Sequence, residues 1–284
     1  MVALATSEDA VAAMALTRAN GRLEPLRNWY SFTWRQVAPE GPRGDALLAA
    51  LARDLKAQAH RVTLWPVPDE DGSATRLETA FRGAGWNVTR TQSDHNHVLP
   101  VRGRSFAEYW ESRPGQLRTT LKRKAKKVEV ELLTRFDASA WGEYEEIYAQ
   151  SWKEAEGDPA LLRRFAEEEG AAGRIRLAIA RHEGRAVAAQ FWTVEAGCAF
   201  IHKLAHLEEM KPLSAGTTLS AALFEHVIDV DKVDLVDFGT GNDRYKADWM
   251  EQVRPRFRLD CLDPRQPAAW PPLAKRLANN LLRR

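Results

Sequence analysis

Polar residues that can hold charge or move protons gather in two stretches of this chain. The first reads DFGTGNDRYKADW, residues 237–249. The apolar, β-branched run before it makes Asp237 the end of a buried strand, and Gly239 and Gly241 let the backbone turn sharply there. A carboxylate, a guanidinium, a phenol and an ammonium then follow one another at Asp243, Arg244, Tyr245 and Lys246. Such groups serve as proton donors and anion holders. An ordinary polar strand-to-helix turn, with Asp243 as helix cap, uses the same residues. The second stretch is KPLSAGTTLSAALFEHVI, residues 211–228. Leu219, Leu223, Phe224, Val227 and Ile228 recur at helical spacing, and Ser214 or Thr217 can cap the helix start. A free helix amino end after a strand and a small-residue turn is an anion site, because unpaired N–H groups and the positive end of the dipole converge there. Ser214, Ala215, Gly216, Thr217 and Thr218 would hold the anion.

The neighbouring elements must bring these stretches together. Alternation in residues 186–194 and 198–206, split by Glu195-Ala196-Gly197, predicts a hairpin that feeds the anion-binding helix. Gln190 and Trp192 share one strand face. His202 and Lys203 are adjacent and so are expected on opposite faces, one toward a cleft and one in solvent. His202 reads as a structural histidine or as a general base. Trp152, Lys153 and Glu154, after a helix, form either the rim of the cleft or an exposed loop. His95 and His97 share a strand face without an evident third metal ligand.

Upstream, the spacing predicts a helix at residues 7–17, an aromatic strand at 28–37, a helix at 46–58, a strand at 61–67, a helix at 74–82 and strands at 86–91 and 95–101. A boundary falls near Gly103. Beyond it, QLRTTLKRKAKKVEV forms a helix with Leu117, Leu121, Ala125 and Val128 on one stripe. Arg118, Lys122, Arg123, Lys124, Lys126 and Lys127 cover the rest, as a solvated face or a phosphate-facing wall. The carboxy-terminal stretch after Trp270 is a basic amphipathic helix with Leu273, Leu277 and Leu281 on one side, expected to dock on the body.

At 284 residues and 44% apolar, the chain can bury one large core or two smaller ones. A formal charge of +2 excludes a strongly polyanion-seeking protein on composition alone and leaves local basic clusters open. Cys198 and Cys261 stand far apart with no second thiol at metal spacing, which indicates neither a disulfide framework nor a zinc module. Glu8 and Asp9 interrupt the apolar amino terminus, against a signal peptide, and no run approaches the ~18 to 20 apolar residues of a membrane helix. The expectation is a soluble, cytoplasmic protein without a metal or integral membrane association. Phosphate-loop, nucleophile-elbow, HExxH and dinucleotide fingerprints are absent.

From residue 129 the predicted order is β-α-α-β-β-β-α-β-α-β. With that order, EYWESRPGQLRTTLKRKAKK (108–127), SWKEAEGDP (151–159), RAVAAQFW (185–192), IHKLAHLEEMKPLSAGTTL (201–219) and DFGTGNDRYKADWM (237–250) resemble the GNAT-superfamily N-acyltransferases, in their two-lobed, Fem-like branch. The resemblance covers most of the chain beyond residue 28 and is strongest after Ser105. It implies an α/β fold with a mixed sheet of α+β character: a partial GNAT-like lobe at 1–103, a complete acyltransferase lobe at 104–265, a basic helix between them and a terminal basic helix at 266–284. It also implies acyl transfer from acetyl-CoA or another acyl-coenzyme A to a small-molecule or polymer-linked amine. Many single-lobed members carry glutamine or arginine and two spaced glycines at the pyrophosphate loop, where this chain has Pro212-Leu213-Ser214-Ala215-Gly216-Thr217. Fem-type relatives use aminoacyl-tRNA, so a tRNA partner along the basic helix is the alternative, and a catalytically silent binding module is a third. By resemblance, Lys246 holds the oxyanion or donor phosphate, Tyr245 donates a proton or positions, and Asp237 orients Lys246 or the amine. Trp152, Gln190, Trp192, Lys203 and Asp243 would then face the substrate, with Lys203 rather than His202 toward the cleft.

Overall fold

The computed structural model describes residues 1–282. In chain order its elements are β1 (Val2–Ser7), β2 (Ala10–Ala19), β3 (Arg22–Pro25), α1 (Pro42–Asp54), β4 (Arg61–Val67), α2 (Ser73–Gly83) and β5 (Asn87–Pro100). There follow α3 (Phe106–Glu111), α4 (Gly115–Lys124), β6 (Glu129–Leu133), α5 (Ala138–Ala149), α6 (Pro159–Ala171), β7 (Ile175–His182), β8 (Arg185–Glu195) and β9 (Cys198–His206). The chain ends with α7 (Ala215–Glu225), β10 (Leu235–Thr240), α8 (Lys246–Trp249), β11 (Gln252–Leu262) and α9 (Trp270–Leu281). Contacts gather these into two compact units, Met1–His95 with Arg254–Arg284, and Asn96–Val253.

In the first unit β1, β2 and β3 are antiparallel, β3 pairs with β4 in parallel, and β11 pairs with β4 antiparallel. The helix expected at residues 7–17 is instead part of a hairpin. Ala10, Ala12, Met14 and Leu16 are buried at every second position, and that period of two outweighs the helix preference of the alanines. The aromatic strand expected at 28–37 is a loop with one bridge, Val37 to Ala13. Asn28 Oδ1 accepts from Tyr30 N and Ser31 Oγ, a local turn that competes with a sheet ladder. The two strands expected at 86–91 and 95–101 are one continuous strand, β5, at Asn87–Pro100. Leu47, Leu48 and Leu51 of α1 and Leu77 and Phe81 of α2 enter the core, each large side chain contributing about 1.5–3 kcal/mol on burial. α9 is anchored by Arg276, which reaches Asn87 Oδ1 and the Asp260 carboxylate, while Leu277 and Leu281 of the expected apolar stripe are exposed. Arg283 and Arg284, which close the expected terminal helix, lie outside the described residues.

The second unit is a meander of β6, β7, β8 and β9, followed by β10, which runs parallel to β9 and antiparallel to β5. Consecutive residues of β8 show the two faces. Phe191 packs on Trp141 of α5 and Phe165 of α6, whereas Trp192 meets Phe224 of α7 edge-on. α5 and α6 therefore cover one face and α7 the other. Asp137 and Asp158 cap α5 and α6 by accepting first-turn N–H groups, and Ser105 with Glu108 forms a capping box on α3. Among the described residues no helix is long and apolar enough to cross a membrane, and no group of His, Cys, Asp or Glu side chains is placed to hold a metal ion.

Candidate active site

β9 and β10 pair only where Cys198–Phe200 lies beside Leu235, Val236 and Asp237. Past that point β9 continues to His206 and β10 to Thr240, and a cavity of about 530 Å³ opens on this part of the unit. Leu204 and His206 of β9, Ser214, Gly216 and Thr217 at the start of α7, Tyr245 and Trp152 line it.

The amino end of α7 is presented to this cavity. Ser214 takes a left-handed backbone (φ 54°) and no side chain caps the helix, so the N–H groups of Ala215 and Gly216 head it. Lys124, at the end of basic α4, donates from Nζ to Ser214 Oγ at 3.1 Å, which sets an ammonium beside the helix terminus. Converging N–H groups, a helix dipole and a lysine favour negative charge at this point. Gln190 lies behind it. Its Nε2 donates to Gly216 O (2.9 Å) and Ser220 Oγ (2.8 Å), and its Oε1 accepts from Trp192 Nε1 (3.0 Å). Gln190 and Trp192 thus fix α7 to β8 from within the core and do not line the cleft; Thr218 is likewise buried behind the helix start.

The polar turn after β10 is held from inside. Asp237 is buried, and its Oδ1 accepts from Gly239 N (2.7 Å) and Asn96 Nδ2 (2.6 Å). Gly239 (φ 67°) and Gly241 (φ 101°) take backbone conformations that side chains resist. Lys246 is also buried: its Nζ donates to Thr240 O, lies 3.7 Å from Asp243 Oδ2 and sits over the Phe238 ring. Tyr245 reaches the cleft, and burial, with the Asp243 charge adding, pushes its phenol up to about 12. Asp243 is exposed.

His202 and Lys203 do not take opposite faces with one in solvent. β8 pairs Phe191 with Lys203 and then Trp192 with Ile201, so His202 is the extra residue of a bulge and strand alternation fails there. His202 packs between Phe165 and Phe191, 2.8 Å from Thr193 Oγ1, and burial with the nearby Lys203 charge holds its pKa down to about 3. Lys203 faces the same helices and pairs with Glu156 at 2.9 Å. Trp152 lines the cleft and packs against His206, ring centres 4.2 Å apart and tilted by 36°. His206 was the cleft residue that spacing could have found: it alternates with Leu204 at the end of the strand, on the face that opens to α7. Lys124 was legible as charge, but its contact with Ser214 joins residues far apart in sequence.

Residues 115–247 match the family described as acetyltransferase (GNAT) domain. No curated protein matches the chain. Among solved structures, FemX superposes with a TM-score of 0.63 at 10% identity, covering 90% of this chain and 86% of that one. L-PGS from Bacillus licheniformis superposes at 0.58 and 12% identity, covering 99% and 89%. A tandem GNAT protein from the clavulanic acid biosynthesis pathway superposes at 0.51 and 15% identity, covering 88% and 78%. Likeness at these identities speaks for the fold alone. Residues 115–247 are therefore similar to a GNAT domain, and the chain has the two-lobed GNAT/Fem-like α/β fold.

Proposed function

We propose that this chain is an N-acyltransferase that moves an acyl group from acetyl-CoA or another acyl-coenzyme A to an amine on a small molecule or a polymer. The observation that carries the reading is the cleft in which the uncapped amino end of α7, with Lys124 on Ser214, faces Tyr245 and His206. Pyrophosphate on the N–H groups of Ala215 and Gly216 would leave the thioester arm to run toward Tyr245. His206 is the base that frees the amine, and Tyr245, whose phenol titrates above its ordinary value, gives its proton to the departing thiolate. Lys246 and Asp237 act through the turn they brace, as positioning residues. Asp243 and Trp152 form the acceptor's entrance. Lobes at 1–103 and 104–265, a terminal helix at 266–284 and a cytoplasmic setting belong to the same proposal.

A second reading, an aminoacyl-tRNA donor, is supported by the cations of α4 that lead to Lys124 and by the likeness to FemX and L-PGS. Calorimetric titration with acetyl-CoA tests the first reading, and failure of every acyl-coenzyme A to bind sinks it. Filter binding of tRNA across a salt series tests the second, which requires a steep loss of affinity with salt and an effect of Lys122→Ala and Lys126→Ala. No retention of tRNA at low salt removes it.

A further inference from the structure

A second cavity, of about 470 Å³, opens on the α5/α6 face of the same unit. Trp141, Tyr144 and Tyr148 of α5 and Leu162 of α6 give it an aromatic and aliphatic wall. Three charged side chains reach it, and two are already answered. Glu145 accepts from Trp141 Nε1 at 2.8 Å and lies 3.3 Å from Arg163, and Glu156 pairs with Lys203 at 2.9 Å. The third is Lys153. Among the described residues no carboxylate pairs with its ammonium, which lies 5.2 Å over the Trp152 ring. Burial lowers its pKa, the more distant Asp243 opposes this and Lys203 adds to it. A cation partly withdrawn from water at the edge of an apolar cavity is unfavourable until an anion meets it.

We propose that this cavity binds the acceptor, an α-amino acid with an aromatic or large aliphatic side chain, whose carboxylate is held by Lys153. The side chain fills the space between Trp141, Tyr148 and Leu162, a volume in the range of small-molecule sites. Sequence neighbours reach both cavities: Trp152 lines the first and Lys153 the second, so consecutive residues of one loop touch the donor cleft and the acceptor cavity. That part rests on the reading of the chain as an N-acyltransferase. In the transfer the amine nitrogen bonds the acyl carbon, the carbon–sulfur bond breaks, the proton lost by the amine goes to His206 and the thiolate takes one from Tyr245, and exchange with solvent restores both side chains.

The test is binding without any donor, followed by calorimetry and by tryptophan fluorescence. Phenylalanine should bind saturably to the wild-type protein. Phenethylamine, which lacks the carboxylate, should bind about 10- to 100-fold more weakly, the loss expected for one charge-assisted contact. Lys153→Met should bind both compounds at the weaker level, with an unchanged melting temperature, and Lys153→Arg should keep the preference for phenylalanine. No saturable binding of phenylalanine, equal binding of the two compounds, or an unaffected Lys153→Met variant overturns the inference. Saturable binding of phenylalanine with no acylation of it, in a protein that acylates other amines, overturns the acceptor role of the pocket, whereas acylation of no amine by any acyl-coenzyme A refutes the transferase reading. Transfer to other amines with no phenylalanine binding refutes the pocket and not the transferase.

Discussion

Replacing Gly216 by alanine separates donor binding from folding. Gly216 lies in the first turn of α7, and a Cβ there would have Leu204 Cδ1 at 3.5 Å and His206 Cδ2 at 4.0 Å as its nearest neighbours, which is ordinary contact. Inside a helix glycine costs about 0.5–1 kcal/mol relative to alanine, and near a helix start the lower figure applies. Gly216→Ala should therefore gain about 0.5 kcal/mol, a rise in Tm of about 1–2 °C for a chain of this size. Both neighbours of the new methyl group line the cleft, so it projects toward the N–H groups that would hold pyrophosphate. Losing one charge-assisted hydrogen bond costs about 1.5–3 kcal/mol, or about 10- to 100-fold in Kd. Titration with acetyl-CoA beside a thermal melt reads both effects, and Gly216→Val should extend the loss. A destabilised Gly216→Ala protein refutes the packing argument. A more stable one that binds donor like wild type refutes the placement of phosphate on this turn.

Three further outcomes are expected. Lys246→Ala takes the donor from Thr240 O, so turnover in the folded fraction should fall less than about tenfold while Tm drops; a loss of ~10²- to 10³-fold at unchanged Tm would restore the oxyanion role that the family resemblance implies. Gln190→Met strands Trp192 Nε1 and removes the donor to Gly216 O and Ser220 Oγ, which should lower stability by about 1–3 kcal/mol in urea titrations at constant m and weaken donor binding, and an unshifted midpoint refutes this. His202 has a folded pKa of about 3 against 6.5 for a free histidine, so the unfolded chain takes the proton first. Stability should then be unaffected above the free value and fall by up to about 1.4 kcal/mol per pH unit from there toward the folded value, and His202→Gln should remove that slope.

Where a residue pattern had one physical reading, it was legible. The hairpin of β8 and β9, the strand β4 and helices α1, α2, α5, α6 and α7 follow from apolar spacing alone, because long periodic runs leave little choice of face. The amino terminus misled for a stated reason: alanine favours helices as an isolated residue, and only the pairing of β2 with β1 and β3 makes its period of two decisive. At residues 28–37 the aromatic content suggested a strand, whereas the side chain of Asn28 had already committed the backbone to a turn.

The site divides along a similar line. The helix start at Ser214–Thr217 was legible because small residues ahead of an apolar helical stripe mark it directly in the sequence. Roles for Gln190, Lys246 and Lys203 were not, since each depends on what an unmarked carbonyl or carboxylate does across the fold: Gly216 O, Thr240 O and Glu156. A polar residue in an apolar strand signals that a partner exists, not whether the partner is substrate or scaffold. Gln190 makes the distinction concrete. All three of its hydrogen bonds are internal, yet one of them ends on the carbonyl of the glycine whose N–H faces the cleft, so a buried scaffold residue sets the position of the group that would touch the donor. Lys153 is the converse case, a loop lysine whose sequence context left a cleft rim and an exposed loop equally open, and whose lack of an answering carboxylate among the described residues is what points it at a ligand.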